Sequence, residues 1–225
     1  MKTFKIGGVH PKDQKLSADK AIDTLALPKQ AIIPLSQHIG APATPIVAKG
    51  DYVRVGQLIA KASGFMSANI HSPYSGIIEK IDNAIDAWGM ASPSIFIKVE
   101  GDEWMPEINR KDDVVRICNL EPAEIIKRIG DAGIVGLGGA CFPTHVKLTP
   151  PPTAKAEVLI INGVECEPYL TCDHRLMLEH AEEIFIGISI IMKAINVKRA
   201  IVGIECNKKN AIEHFRNIAT RHFGI

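Results

Sequence analysis

The sequence predicts an α/β protein with an all-β domain in front of a parallel α/β domain. Three observations carry this. The first hundred residues are rich in short β signals broken by glycine turns. From Asn119 onward, helical and strand patterns alternate, which means a parallel sheet with right-handed crossovers. The chain also has 225 residues and 46% hydrophobic content, so it can bury cores without disulfide or metal staples.

Taken in order, residues 1–31 form an extension with no strong periodic signal. A barrel-sandwich-like domain is expected over 32–105. Its signals are two glycine-turn segments, Gly50 to Ala60 and Ile70 to Ile81, followed by the strand pattern Ile95-Phe96-Ile97-Lys98-Val99. Gly101 to Asp113, polar and ending in charge, reads as a link. The α/β domain is expected over 115–225. Pro122 stands at a helix start, with Ile125, Ile126 and Ile129 as its apolar face. Val158-Leu159-Ile160-Ile161 reads as a buried strand. A single long helix is expected from about Asp173 to Ile195, with Met177, Ala181, Ile184, Ile188, Ile191 and Ile195 on one stripe. Ala200 to Ile204 is the next strand, and Asn207 is placed to cap a helix carrying Ala211, Ile212, Phe215 and Ile218. Two strands do not complete a parallel domain, so the sequence reads as incomplete at its C-terminus.

Composition excludes several functions. With 26 basic and 25 acidic residues the chain offers no broad surface for nucleic acid or anionic lipid. The longest apolar run, Ile184 to Met192, falls far short of the roughly 20 residues a membrane span needs. Five cysteines at wide spacing, with no C-x-x-C pair, read as reduced thiols, and no metal is expected within these residues. The eight histidines are scattered, and no pair has metal-ligand spacing on one helix. His38 and His71 read as structural parts of the sandwich, whereas His145 lies beside the first candidate site. The Gly50 to Ile81 segment looks like a biotinyl or lipoyl carrier. However, its tip, Gly64-Phe65-Met66-Ser67-Ala68-Asn69, has no lysine to carry a cofactor, so it reads as a docking module.

Two segments carry chemistry. Gly133 to Leu148 holds Gly133, Gly136, Gly138 and Gly139 within seven residues, followed by Ala140, Phe142 and Lys147. Glycines let backbone N–H groups turn toward an anion, and Lys147 adds a point charge suited to phosphate. The loop follows a helix, not a strand, so neither the dinucleotide fingerprint nor the P-loop applies. The bland alternative is a glycine-rich connector. The second segment, Ile161 to Arg175, starts where a parallel strand ends, the position at which open α/β sheets bind ligands. Asn162 can donate and accept hydrogen bonds, and Glu165 and Glu167 flank Cys166. Its bland alternative is a solvated turn with a helix cap from Asp173.

Together these segments resemble the flavin-mononucleotide loop of the NADH-binding subunit of respiratory complex I. That family's patterns are G-L-R-G-R-G-G-A-G-F-P-T-x-x-K and N-A-D-E-S-E-P-G. The first is matched at Gly133, Gly136, Gly138, Gly139, Ala140, Phe142, Pro143, Thr144 and Lys147, the second at Asn162, Glu165, Glu167 and Pro168. Val135 and Leu137 stand in place of two arginines, Cys141 in place of a glycine, and Val164 in place of an aspartate. Cys141 therefore either takes an ordinary negative φ or bears the cost of the left-handed region. The preceding segments, Gly7-Gly8-Val9-His10-Pro11, Ile33 to Pro42 and the sandwich, resemble the C subunit of the Rnf ion-translocating ferredoxin:NAD oxidoreductase over essentially the whole chain.

That resemblance implies an α/β domain of the complex I NADH-binding type and an oxidoreductase subunit that binds FMN and NAD(H). Such a subunit passes electrons between NAD and iron–sulfur clusters, with ferredoxin an indirect partner. The 4Fe-4S clusters would lie beyond residue 225, and the fragment alone would be inactive. Partners would be the other subunits of a membrane-bound electron transport complex, with this chain peripheral on the cytoplasmic face. No side chain is implied as catalytic, since the flavin carries the chemistry. The implied contacts are Gly136 to Ala140 and Lys147 for the flavin phosphate, and Asn162, Glu165 and Cys166 for the ribityl and ring edge. Phe142 and Glu167 would face the nicotinamide nucleotide. The alternative is a non-catalytic assembly subunit with a vestigial flavin loop, as in the A subunit of the sodium-pumping NADH:quinone reductase.

Overall fold

Strand pairing in the first half follows the apolar alternation closely. In a computed structural model that describes residues 11–86, 89–111, 114–222, 224 and 225, Gln30–Pro34 (β1) pairs antiparallel with Ala91–Val99 (β7). β7 pairs with Gly76–Ile85 (β6), and β6 with Tyr52–Val53 (β3), giving the order β1-β7-β6-β3. A second sheet joins Thr44–Pro45 (β2), Leu58–Lys61 (β4) and Ile70–His71 (β5). Val53, Ile59, Ile78, Ile95 and Ile97 from these strands form one fully buried cluster. A register shift at Ile78/Lys80 breaks the alternation, and the Lys80 ammonium sits 4.5 Å over the ring of Phe96. The motif Gly7 to His10 lies outside the described residues.

The expected link at 101–113 starts later than composition indicates. Val55 donates its N–H to the Glu103 carbonyl and accepts from Met105 N–H, so Glu103 to Met105 continue the sandwich. Arg110 then stacks over Trp104 and pairs with Asp102.

Pro122–Asp131 (α1) has its proline in the first turn and Ile125 buried, as the pattern requires. It ends in a Schellman arrangement. Gly133 N–H donates to Gly130 O, Ile134 N–H donates to Ile129 O, and Gly133 takes φ +67. A short helical turn, Thr144–Lys147 (α2), follows the buried Pro143.

Leu159–Gly163 (β8) and Ala200–Ile204 (β9) pair in parallel. Leu159 and Ile161 pack with Ile188, Met192 and Val202, but Ile160 is 67% exposed. The expected buried strand is therefore covered on one face only among the described residues. The expected single helix is two: Cys172–Glu179 (α3) and Ala181–Ala194 (α4), broken where His180 leaves helical geometry at φ −128, ψ 32. Glu182 and Glu183 then open α4, where a helix N-terminus favours acidic residues. Lys209–Ala219 (α5) is capped by the backbone of Lys208, not by Asn207. Phe185, Phe215, Met177 and Ala211 form the core among these helices.

The chain separates into two compact units, Leu25–Lys155 and a second one assembled from Met1–Thr24 with Ala156–Ile225. Among the described residues no helix is long and apolar enough to cross a membrane.

Candidate functional site

The glycine loop belongs to the first of these units and is a narrow hairpin. Thr144 N–H donates to Ile134 O, Val135 and Pro143 form a bridge, and Gly136 N–H donates to Phe142 O. Cys141 N–H donates to Gly138 O and closes the tip. The tip demands left-handed backbone twice, at Gly139 (φ +56) and at Cys141 (φ +48). Cys141 thus takes the second of the two alternatives its position allowed. The N–H groups of Leu137, Gly138, Gly139 and Ala140 meet no acceptor among the described residues.

Lys147 lies against the hairpin at Gly136, next to the tip. A Cβ on Gly136 would lie 3.2 Å from its ammonium, which also stands 6.0 Å from the centre of the Phe142 ring. Gly136, its N–H committed to the hairpin, thus supplies room for the lysine instead of a donor. Among the described residues the ammonium has no carboxylate partner. A Cβ on Gly138 or Gly139 would meet nothing within 4 Å. Unpaired N–H donors, a free cation and open space are what a phosphate group needs.

The sandwich holds this loop from behind. Asn69 Nδ2 donates to Asp131 O at the end of α1, and a Cβ on Gly133 would fall onto the Asn69 carbonyl. Ile39 N–H donates to Ala140 O. His145 Nε2 lies 3.1 Å from Phe65 O, and its ring meets that of Phe65 edge-on. His145 therefore faces the sandwich tip, not the row of open N–H groups. The His38 ring accepts the Ala68 N–H.

The strand-end segment belongs to the other unit. Asn162 Oδ1 accepts Val164 N–H in a tight turn at the end of β8, and Asn162, Cys166 and Glu167 are exposed. Glu165 is turned inward, its side chain 2% exposed. Its Oε1 accepts Asp173 N–H at 2.7 Å and the Cys172 thiol at 3.5 Å. The start of α3 is thus capped by Glu165, with Asp173 contributing charge in the first turn but no cap. Burial, reinforced by the Glu165 charge, raises the Asp173 carboxyl above its ordinary range, with Lys208 opposing. Burial, then the Asp173 charge and the Glu165 contact, likewise raise the Cys172 thiol. Glu165, Cys172 and Asp173 bring metal-ligating atom types within 4.8 Å of one another, but Oε1 is already committed to two donors.

Two lysines that no local sequence signal marks complete this cluster. Lys208 Nζ is 2.6 Å from Glu205 Oε2 and 4.0 Å from Glu165 Oε2. Lys15 Nζ donates to the carbonyls of Glu165, Glu167 and Leu170. The contacts of both lysines with Glu165 join residues far apart in sequence, which is why periodicity and motif spacing do not reveal them.

Comparison with known proteins agrees with both halves. Residues 2–102 match the RnfC barrel sandwich hybrid domain, and residues 129–223 match the Nuo51 FMN-binding domain. The chain is 47% identical, over 95% of its length, to the C subunit of the proton-translocating ferredoxin:NAD(+) oxidoreductase complex of Clostridium ljungdahlii, covering 46% of that protein. It is 48% identical over 95% of its length to the C subunit of the ion-translocating oxidoreductase complex of Rhodobacter capsulatus, covering 41%. To the C subunit of the Na(+)-translocating ferredoxin:NAD(+) oxidoreductase complex of Acetobacterium woodii it is 43% identical over 94%, covering 47%. The chain thus spans about half the length, or somewhat less, of the curated relatives it matches. With an RnfC barrel sandwich match and an FMN-binding-domain match in that order, the chain is similar over nearly its whole length to the C subunits of Rnf-type ion-translocating oxidoreductase complexes.

Proposed function

We propose that the whole protein is the NAD(H)- and FMN-binding subunit of a membrane-associated ferredoxin:NAD oxidoreductase complex. Its other subunits are the direct partners, with ferredoxin an indirect one, and the chain sits peripherally on the cytoplasmic face. A flavin held there would supply the chemistry that links hydride exchange with nicotinamide to single-electron exchange with 4Fe-4S clusters, which would lie in the part of the protein beyond residue 225.

The chain's own groups divide the work by charge. The N–H groups of Gly138, Gly139 and Ala140, with the Lys147 ammonium above Gly136, take the dianionic phosphate. Asn162 and Cys166, both exposed, serve the ribityl and ring edge, while Glu165, expected there from the sequence, is turned inward and holds the turn that carries them. Phe142 and Glu167 face the nicotinamide nucleotide, whose ribose hydroxyls and amide can donate to a carboxylate. The observation that carries the reading is the hairpin itself: unpaired N–H groups at its tip and an unpaired ammonium beside Gly136, inside the stretch that matches an FMN-binding domain.

Gly138→Val tests it cleanly, because a side chain there meets no protein atom and its effect falls on a ligand. In the full-length protein it should abolish flavin retention, and Lys147→Ala should weaken it. Glu167→Ala should spare flavin and slow NADH-dependent bleaching. A Gly138→Val protein as yellow as wild type places the phosphate elsewhere. One observation favours a second reading, a docking subunit with a vestigial loop: Leu137, where the resembling pattern has arginine, is 94% exposed. Full-length protein that stays colourless with added FMN would establish that reading.

A further inference from the structure

We propose that Lys15 acts as a built-in cation that sets the conformation of the strand-end turn 165–170, making it a positioning residue for the candidate site. An ammonium has three donors and no acceptor. Lys15 Nζ directs them to Glu165 O at 2.9 Å, Glu167 O at 2.6 Å and Leu170 O at 2.7 Å. Its side chain is 15% exposed. Three carbonyl oxygens brought to one point repel one another, and the Lys15 ammonium among them removes that repulsion while satisfying all three, with Lys208 adding a longer contact to Glu165 O at 3.4 Å.

The surroundings are arranged around the same point. Glu165 Oε2 lies 4.0 Å from Lys15 Nζ on one side and 4.0 Å from Lys208 Nζ on the other, and it is buried without a hydrogen bond of its own. Lys208 is held in turn by Glu205. The segment around Lys15 follows the turn and α3. Gln14 N–H donates to Pro168 O, Ser17 Oγ meets Thr171 Oγ1 at 2.7 Å, Arg175 Nη1 donates to Ala18 O, and Ile22 N–H donates to the Glu179 carboxylate. With its carbonyls turned to Lys15, the turn leaves the side chains of Cys166 and Glu167 exposed. On this reading residues 14–22 are a strap whose central contact is a cation among carbonyls. The relevance to nucleotide binding rests on the function proposed above; the shaping of the turn does not.

The test reads the turn directly, through hydrogen exchange of the Leu170 and Asp173 amides in full-length protein, which donate to Glu167 O and to Glu165 Oε1. Lys15→Ala should raise their exchange rate about tenfold, because the turn opens without its charged hydrogen-bond donor. Ammonium chloride should return it toward wild type, whereas choline chloride at equal ionic strength should not. Wild type should respond to neither. Lys15→Arg keeps the charge but replaces a compact ammonium with a planar fork. It should exchange faster than wild type without rescue, and it serves as the deciding variant if Lys15→Ala does not fold. Unchanged exchange of both amides in Lys15→Ala, or in Lys15→Arg where only that variant folds, overturns the proposal. A changed rate with an unchanged KM for NADH upholds Lys15 as the turn's organiser and removes the turn from the nucleotide site.

Discussion

Cys141 shows how one side chain can sit against its backbone's preference. Its φ of +48 puts a β-carbon in the left-handed region, which costs a non-glycine residue about 1–2 kcal/mol. Glycine there removes that strain and instead adds unfolded-chain entropy worth about 0.5–1 kcal/mol. The first term is the larger. Cys141→Gly should therefore stabilise the protein by up to about 1 kcal/mol, raising the melting temperature by about 2–4 °C for a chain of this size. A lower melting temperature would mean that the half-buried cysteine makes contacts worth more than its strain. The same residue marks what is legible at this scale. The resembling pattern, with glycine where Cys141 stands, leaves two backbone conformations open at that position, and only the closed hairpin decides for the left-handed one. Nothing in the pattern indicates Lys15 or Asn69, because their partners lie in remote segments.

At the scale of the element, the end of α1 is where helix chemistry and loop geometry meet. Gly133 closes the Schellman arrangement at φ +67, and the space its Cβ would need is held by the Asn69 carbonyl. Gly133→Ala should cost at least about 2 kcal/mol, combining the left-handed penalty with displacement of the sandwich tip. Gly187→Ala should move the other way by about 1 kcal/mol, since that glycine lies mid-helix in α4 with open space around it. Urea midpoints of the two variants should thus fall on opposite sides of wild type. A neutral Gly133→Ala would show that the loop tolerates a different helix end. The helix α1 was legible because one period held alone, whereas of β7 only the apolar half from Ile95 to Val99 was, since Ala91 to Ser94 carry no apolar run. The α3–α4 break was hidden because Met177 and Ala181 keep a four-residue spacing across His180 and enter the same core. One-faced covering of β8 was hidden because an apolar run reads alike whether one face or two are packed.

For the whole molecule, the important fact is that the sandwich core shares no residue with the cores of the other unit. One is built from Val53, Ile59, Ile78, Ile95 and Ile97. The others gather Met177, Phe185, Ala211 and Phe215, and Ile188, Met192, Val197 and Ala200. A linear reading divides the chain after the sandwich, whereas the compact units cut it at 24/25 and at 155/156. Composition cannot show this, because residues 14–22 join α3 through hydrogen bonds and not through an apolar stripe. Separate cores predict separate responses to damage. Phe185 is 1% exposed and packs against the rings of Phe215 and His222, each at 5.0 Å. Removing it leaves a cavity and should cost about 3–5 kcal/mol, all of it in the unit that contains it. In native-state hydrogen exchange, Phe185→Ala should lower amide protection throughout α4, α5 and β9 and leave the paired amides of β6 and β7 as protected as in wild type. Equal loss of protection in β6 and β7 would show that the two units unfold as one, and that a core defect around Phe185 also destabilises the hairpin held by the sandwich.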